Sequence, residues 1–186
     1  MKAFKHFNLN PERPVVFLMG GSQGSARLNR TMQAILEQPD LNDIQLLWQT
    51  GSGQYNYYSG FDSETVRIVS FINQMADAYA MADLVISRAG ALTLAEITAC
   101  GKPSILVPLP GAAGGHQMKN AQSLVAHSAA KMIPEKDLTP ERLRNMILNL
   151  LENKSELQRL SQNAKSLGKP DAVEIIVNHI LEIAES

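Results

Sequence analysis

Val15–Asn29 reads VVFLMGGSQGSARLN: an apolar run, three glycines within five residues, then helix-forming side chains. Gly20, Gly21 and Gly24 let a backbone turn sharply from strand into helix with no Cβ in the way. The N–H groups that open the following helix then face outward beside Ser22 and Gln23. There, unpaired donors and the helix dipole favour an anion such as a phosphate. A plain tight turn would use the same glycines. The bend is not the usual dinucleotide fingerprint, because G-x-G-x-x-G starting at Gly20 needs a glycine where Ser22 stands. The next strand ends Trp48-Gln49-Thr50 and lacks the acid that holds an adenosine ribose, and no G-K-[ST] follows the glycines. NAD and P-loop readings both fall away.

On either side of this bend, short apolar runs alternate with longer helix-periodic segments, the signature of βα units and a parallel sheet. The predicted strands are Val15–Gly20, Ile44–Gln49, Val66–Phe71, Leu84–Ser87, Ser104–Pro108 and a weak Lys131–Ile133. Helices are predicted over Ser25–Gln38, Met75–Met81, Leu92–Cys100, His116–His127, Pro140–Glu152, Ser155–Leu167 and Asp171–Glu185. Two boundaries carry their own signals: Gly101 and Pro103 stop one helix, and Thr139-Pro140 caps and starts another. Right-handed crossovers give an α/β, doubly wound, Rossmann-like six-stranded parallel sheet in the order 3-2-1-4-5-6. Its ligands are expected beyond the carboxyl ends of the strands.

Composition sets the outer bounds. With 186 residues, 45% hydrophobic and 19% charged, the chain suits one full-sized core and leaves no room for a second large domain. The formal net charge is -1, and lysines and arginines are scattered, so nucleic acid is not an expected partner. Cys100, the single cysteine, permits no intrachain disulfide and is expected to be a small buried residue at a helix end. No apolar run approaches the roughly 18 to 20 residues of a membrane span. Residues 1–14, MKAFKHFNLNPERP, lack a signal-peptide core and read as an irregular lead-in. A cytoplasmic protein is the expectation.

Two further stretches carry chemistry. SRAGALTLAE, Ser87–Glu96, again runs from strand through glycine into a helix. Thr93 and Glu96 share a face there while Leu92 and Leu94 can pack inward. The two oxygens of a carboxylate can take both vicinal hydroxyls of a ribose, although an early-helix acid also needs no ligand beyond the dipole. PLPGAAGGHQMKN, Pro108–Asn120, joins a proline- and glycine-rich loop to a polar helix start. His116, Gln117 and Asn120 offer donors and acceptors suited to sugar hydroxyls. Phe71 and Ile72, after the third strand, could wall a flat base or simply pack in the core.

Taken together, GGSQGS at 20–25, SFINQMADAYAMAD at 70–83, SRAGALTLAEITACGKPSILVP at 87–108 and HQMKNA at 116–121 resemble the MurG family of bacterial N-acetylglucosaminyltransferases. The resemblance covers nearly the whole chain in order and implies one half of the two-domain GT-B fold, the half that holds UDP-N-acetylglucosamine. It implies that Gly21, Ser22, Gln23 and Gly24 hold the diphosphate and that Phe71 and the main chain of Ile72 meet the uracil. Ala91, Leu92, Thr93, Leu94, Ala95 and Glu96 line the nucleoside pocket, with Glu96 on the ribose. His116, Gln117 and Asn120 then touch the sugar. Family members commonly carry an acid just before the histidine-glutamine pair, where this chain has Gly114 and Gly115.

The resemblance further implies that no catalytic residue lies on this chain, the base belonging to an N-terminal acceptor domain on the same full-length chain or on a separate subunit. The whole enzyme would then work at the cytoplasmic face of the membrane on a lipid-linked acceptor. Residues 15–167 are read as the UDP-sugar domain and 168–186 as a helix expected to contact the N-terminal domain. No cofactor and no metal are expected, since the chain has no Asp-x-Asp pair and a helix N-terminus can take the diphosphate charge. A non-catalytic nucleotide-binding module, or a fragment resembling a UDP-N-acetylglucosamine 2-epimerase, remains an alternative from sequence.

Overall fold

The computed structural model describes residues 2–38, 43–111, 113–172, 174, 177, 180, 181 and 183. Six parallel strands form one sheet in the order β3-β2-β1-β4-β5-β6, as the sequence predicts. They are β1 (Val15–Met19), β2 (Gln45–Gln49), β3 (Val66–Val69), β4 (Leu84–Ser87), β5 (Ser104–Leu106) and β6 (Lys131–Met132). The helices are α1 (Lys2–Phe7), α2 (Ala26–Leu36), α3 (Tyr55–Tyr58), α4 (Met75–Met81), α5 (Ala91–Ala99), α6 (His116–Ala126), α7 (Pro140–Glu152) and α8 (Lys154–Leu167).

Strands β1, β2, β4 and β5 are buried along their full length, as a parallel sheet covered on both faces requires. Alternation splits their side chains between two cores. Val15, Phe17, Met19, Leu47 and Val85 meet Phe7 of α1, Tyr79 of α4 and Ile97 of α5 on one face. Val16, Leu18, Trp48, Leu84 and Ile86 meet Leu28 and Ile35 of α2 and Leu143 and Ile147 of α7 on the other. Helix α8 packs on α5 and α7, placing Leu160 in the second core and Ala164 in the first. A buried relay ties α2 to the end of β2. Trp48 Nε1 donates to Asn29 Oδ1 at 2.9 Å, and Asn29 Nδ2 donates to the Thr50 carbonyl at 2.9 Å.

Three sequence expectations need correction. The lead-in at 1–14 is not irregular throughout: Lys2–Phe7 form a helix with Ala3 and Phe7 buried. Strands 1, 3 and 5 end one or two residues short of Gly20, Phe71 and Pro108, because the chain leaves the ladder to build the loops at the crest. Cys100 is exposed, not buried, since it sits at the C-terminal end of α5. Most of the helix expected over Asp171–Glu185 lies outside the described residues. Within it, Val177, Ile180, Leu181 and Ile183 are exposed. Among the described residues no helix is long and apolar enough to cross a membrane.

Candidate functional site

The bend after β1 is built around Gly24. Its φ is +75°, and a Cβ added there would lie 1.9 Å from the Thr50 carbonyl oxygen, so both conformation and space demand glycine. Gly21 has φ +91° but faces open space. Ser25 caps α2 in extended conformation, its Oγ accepting from Leu28 N at 3.4 Å. Ser22, Gln23 and Ala26 are exposed, which leaves the positive end of α2 open to solvent at the crest of the sheet.

Four polar side chains tie this bend and the neighbouring loops together. Gln49, buried at the tip of β2, donates from Nε2 to the Gly21 carbonyl at 3.1 Å and accepts on Oε1 from Ile72 N at 2.9 Å. Arg88, buried just after β4, donates to Ser25 Oγ at 2.8 Å and to the Val107 carbonyl at 3.1 Å, and it pairs with Glu135. Gln117 Oε1 accepts from both Ala89 N at 3.2 Å and Leu109 N at 3.0 Å, while Asn120 Nδ2 donates to the Ala89 carbonyl at 3.1 Å. These hydrogen bonds tie together the loops after β1, β3, β4 and β5.

Glu96 of α5 is half-buried beside them. Its Oε2 accepts from the Tyr79 hydroxyl at 2.9 Å. Burial first, then the adjacent carboxylate, pushes the tyrosine far above the usual phenol range, so the hydroxyl remains a donor and orients the carboxylate. A carboxylate held through one oxygen can present the other to a diol.

The structure gathers most of the predicted residues at this crest but alters several roles. Leu94 is buried in the core while Leu92 is 75% exposed; the expectation that both pack inward holds only for Leu94. Ala91 and Ala95 are exposed and Thr93 is partly buried on the same helix. Phe71 is 48% exposed, whereas Ile72 is buried and its N–H is already engaged by Gln49. Gln117 and Asn120 brace the main chain of Ala89. The exposed His116 ring lies over Gly114, its Nε2 3.0 Å from where a Cβ would stand. Gly114 and Gly115 both have positive φ, +62° and +67°, a conformation that disfavours an acidic residue at either position.

Sequence reading missed Gln49, Tyr79 and Arg88 as parts of the site. Each lies within or next to a stretch that had drawn notice, but their partners are 17 to 63 residues away in sequence. Among the described residues no three of His, Cys, Asp and Glu converge as metal ligands.

A doubly wound, six-stranded parallel sheet of this strand order has the architecture of one half of a GT-B fold. The chain belongs to the glycosyltransferase family 28 C-terminal domain, whose model matches residues 15–176. It is 43% identical over 181 residues to the UDP-N-acetylglucosamine--N-acetylmuramyl-(pentapeptide) pyrophosphoryl-undecaprenol N-acetylglucosamine transferase of Cytophaga hutchinsonii, covering 97% of this chain and 49% of that protein. The transferase of the same name from Christiangramia forsetii is 39% identical over 179 residues, with 96% and 49% covered. The crystal structure of Acinetobacter baumannii MurG superposes with a TM-score of 0.81 at 30% identity, covering 97% of this chain and 53% of that one. The chain thus spans about half the length of the relatives it matches.

Proposed function

We propose that this chain is the donor-binding half of an inverting glycosyltransferase. The full enzyme would move N-acetylglucosamine from UDP-N-acetylglucosamine to a lipid-linked muramoyl-pentapeptide in peptidoglycan synthesis. The names of relatives at 39–43% identity support the substrate pair, and the single structural observation that carries the reading is the hydrogen-bonded crest. There the open N-terminus of α2 is tied to the loops that hold Ile72, Ala89 and Gln117.

In this reading Gly21, Ser22, Gln23 and Gly24 take the diphosphate and Glu96 takes the ribose hydroxyls. Phe71 flanks the uracil, and the base edge falls to the carbonyl of Ile72, since its N–H is occupied. His116, Gln117 and Asn120 lie nearest the amino sugar. Transfer forms a bond from the acceptor oxygen to C1 of the sugar and breaks the bond from C1 to the diphosphate. The leaving charge grows where the dipole of α2 is positive. The acceptor proton goes to a base on the N-terminal domain, so this half alone is expected not to catalyse transfer.

A helix terminus contributes about 0.3 to 2 kcal/mol to anion binding, against roughly 8 kcal/mol for micromolar affinity. Base, ribose and sugar contacts must supply the rest, which is why a set of loops is required. Calorimetric titration tests the reading: measurable heat is expected with millimolar UDP and UDP-N-acetylglucosamine, and much less with ADP. A folded sample that gives no heat with either uridine nucleotide would contradict it.

A further inference from the structure

Gln49 ends the strand that lies between β1 and β3, in register with Met19 on one side and Val69 on the other. The chain leaves β1 into the glycine bend and leaves β3 into the Phe71–Ile72 turn. One carboxamide spans the gap, giving a hydrogen to Gly21 O and taking one from Ile72 N. It is 3% exposed, so it holds the loops from beneath without reaching their ligand.

We infer that Gln49 is a positioning residue that fixes the distance between the diphosphate loop and the base loop, so that one nucleotide engages both. The inference rests on the donor-site reading above. Glutamine suits the position because both ends of the bridge are main-chain groups of opposite character, and only a carboxamide both donates and accepts in a fixed fork at neutral pH. An ionised glutamate could accept from Ile72 N but would face the Gly21 carbonyl with a second acceptor. A leucine of similar size would do neither. A bridge that fixes both loops spares the nucleotide the cost of ordering them independently.

The test compares wild type with Q49L and Q49E, each verified as folded by circular dichroism, using UDP as the probe. Q49L is expected to bind UDP about ten- to thirtyfold more weakly, and its Ile72 amide is expected to lose protection from hydrogen exchange. Q49E is expected to keep that protection. Relative to wild type at the same pH, it should also regain UDP affinity as pH falls from 8 to 5. The protonated carboxyl then donates to Gly21 O and accepts from Ile72 N as the amide does, and burial raises its pKa toward that window. A purely structural role would lower the melting temperature without this pH-dependent rescue.

Wild-type UDP affinity in Q49L, or a Q49E-to-wild-type affinity ratio that stays flat with pH, would overturn the inference and leave the donor-site reading intact. No UDP binding by wild type would overturn the donor-site reading and the positioning role with it. The exchange data would still report the bridge itself.

Discussion

Tyr79 of α4 donates its hydroxyl to Oε2 of Glu96 on α5 at 2.9 Å. This bond links the helix that follows the base loop to the helix that carries the candidate ribose acid. Burial and the neighbouring carboxylate hold the tyrosine protonated, so its hydroxyl stays a donor and keeps one carboxylate oxygen occupied.

Removal of this pair should therefore act on the ribose. Glu96→Ala is expected to weaken UDP binding by about ten- to a hundredfold, the range for hydrogen bonds to a charged group. Tyr79→Phe should cost less, about three- to tenfold, because the acid remains but loses its orientation. Calorimetry with 2′,3′-dideoxyuridine diphosphate provides the check. That ligand offers nothing to Glu96, and its affinity should be nearly the same for wild type and both variants.

The two glycines at the bend should respond differently to alanine. In Gly24→Ala, a methyl group would meet the Thr50 main chain at a positive φ, so a loss of about 3 kcal/mol or more, or failure to fold, is expected. In Gly21→Ala only the backbone conformation is disfavoured, and about 1 kcal/mol is expected. Urea denaturation of the two proteins measures the contrast.

Arg88 joins Ser25 Oγ, the Val107 carbonyl and Glu135 through one planar group. Arg88→Ala strands the Glu135 carboxylate and is expected to cost about 3–5 kcal/mol in chemical denaturation. Arg88→Lys should rescue little of it, since an ammonium is a point charge and cannot fork among three partners.

At the far edge of the sheet, Glu156 receives hydrogen bonds from Arg159 and Lys131, which lower its pKa from 4.5 to about 2. A carboxylate depressed on folding contributes stability that is fully present above its unfolded value and lost as pH falls through the folded one. The melting temperature should therefore decline between pH 4.5 and about 2 more steeply in wild type than in Glu156→Gln. Added salt should narrow the difference, because the group lies near the surface.

If the α2 terminus carries the electrostatic part of diphosphate binding, a divalent ion is not required. UDP affinity is expected to be equal in excess EDTA and in millimolar magnesium. A tenfold gain with magnesium would assign that part to the ion.

Strand order, the caps at Gly101 and Thr139 and the glycine bend were all legible in the sequence. Each depends on local pattern: apolar runs, a left-handed residue after a helix, a proline at the first helical position. Helix α1 was not legible, because six residues with Ala3 and Phe7 as buried anchors give too short a period to read and owe their helix to packing against α4 and the first core. The site divided along the same line. Ser22, Glu96 and Gln117 stand in recognisable stretches, whereas Gln49 gains its role only when Gly21 and Ile72, 28 and 23 residues away, arrive on either side. Leu92 and Leu94 show the limit of side-chain reading. Both are apolar on one short helix, yet the start of α5 turns the first to solvent and the second into the core.

The most direct measurement is a crystal structure of the chain grown with UDP. The expected result places the diphosphate against Gly21–Gly24 at the N-terminus of α2, with both ribose hydroxyls on Glu96 and the uracil beside Phe71. A nucleotide bound away from this crest, or one whose phosphates point away from α2, would contradict the assignment.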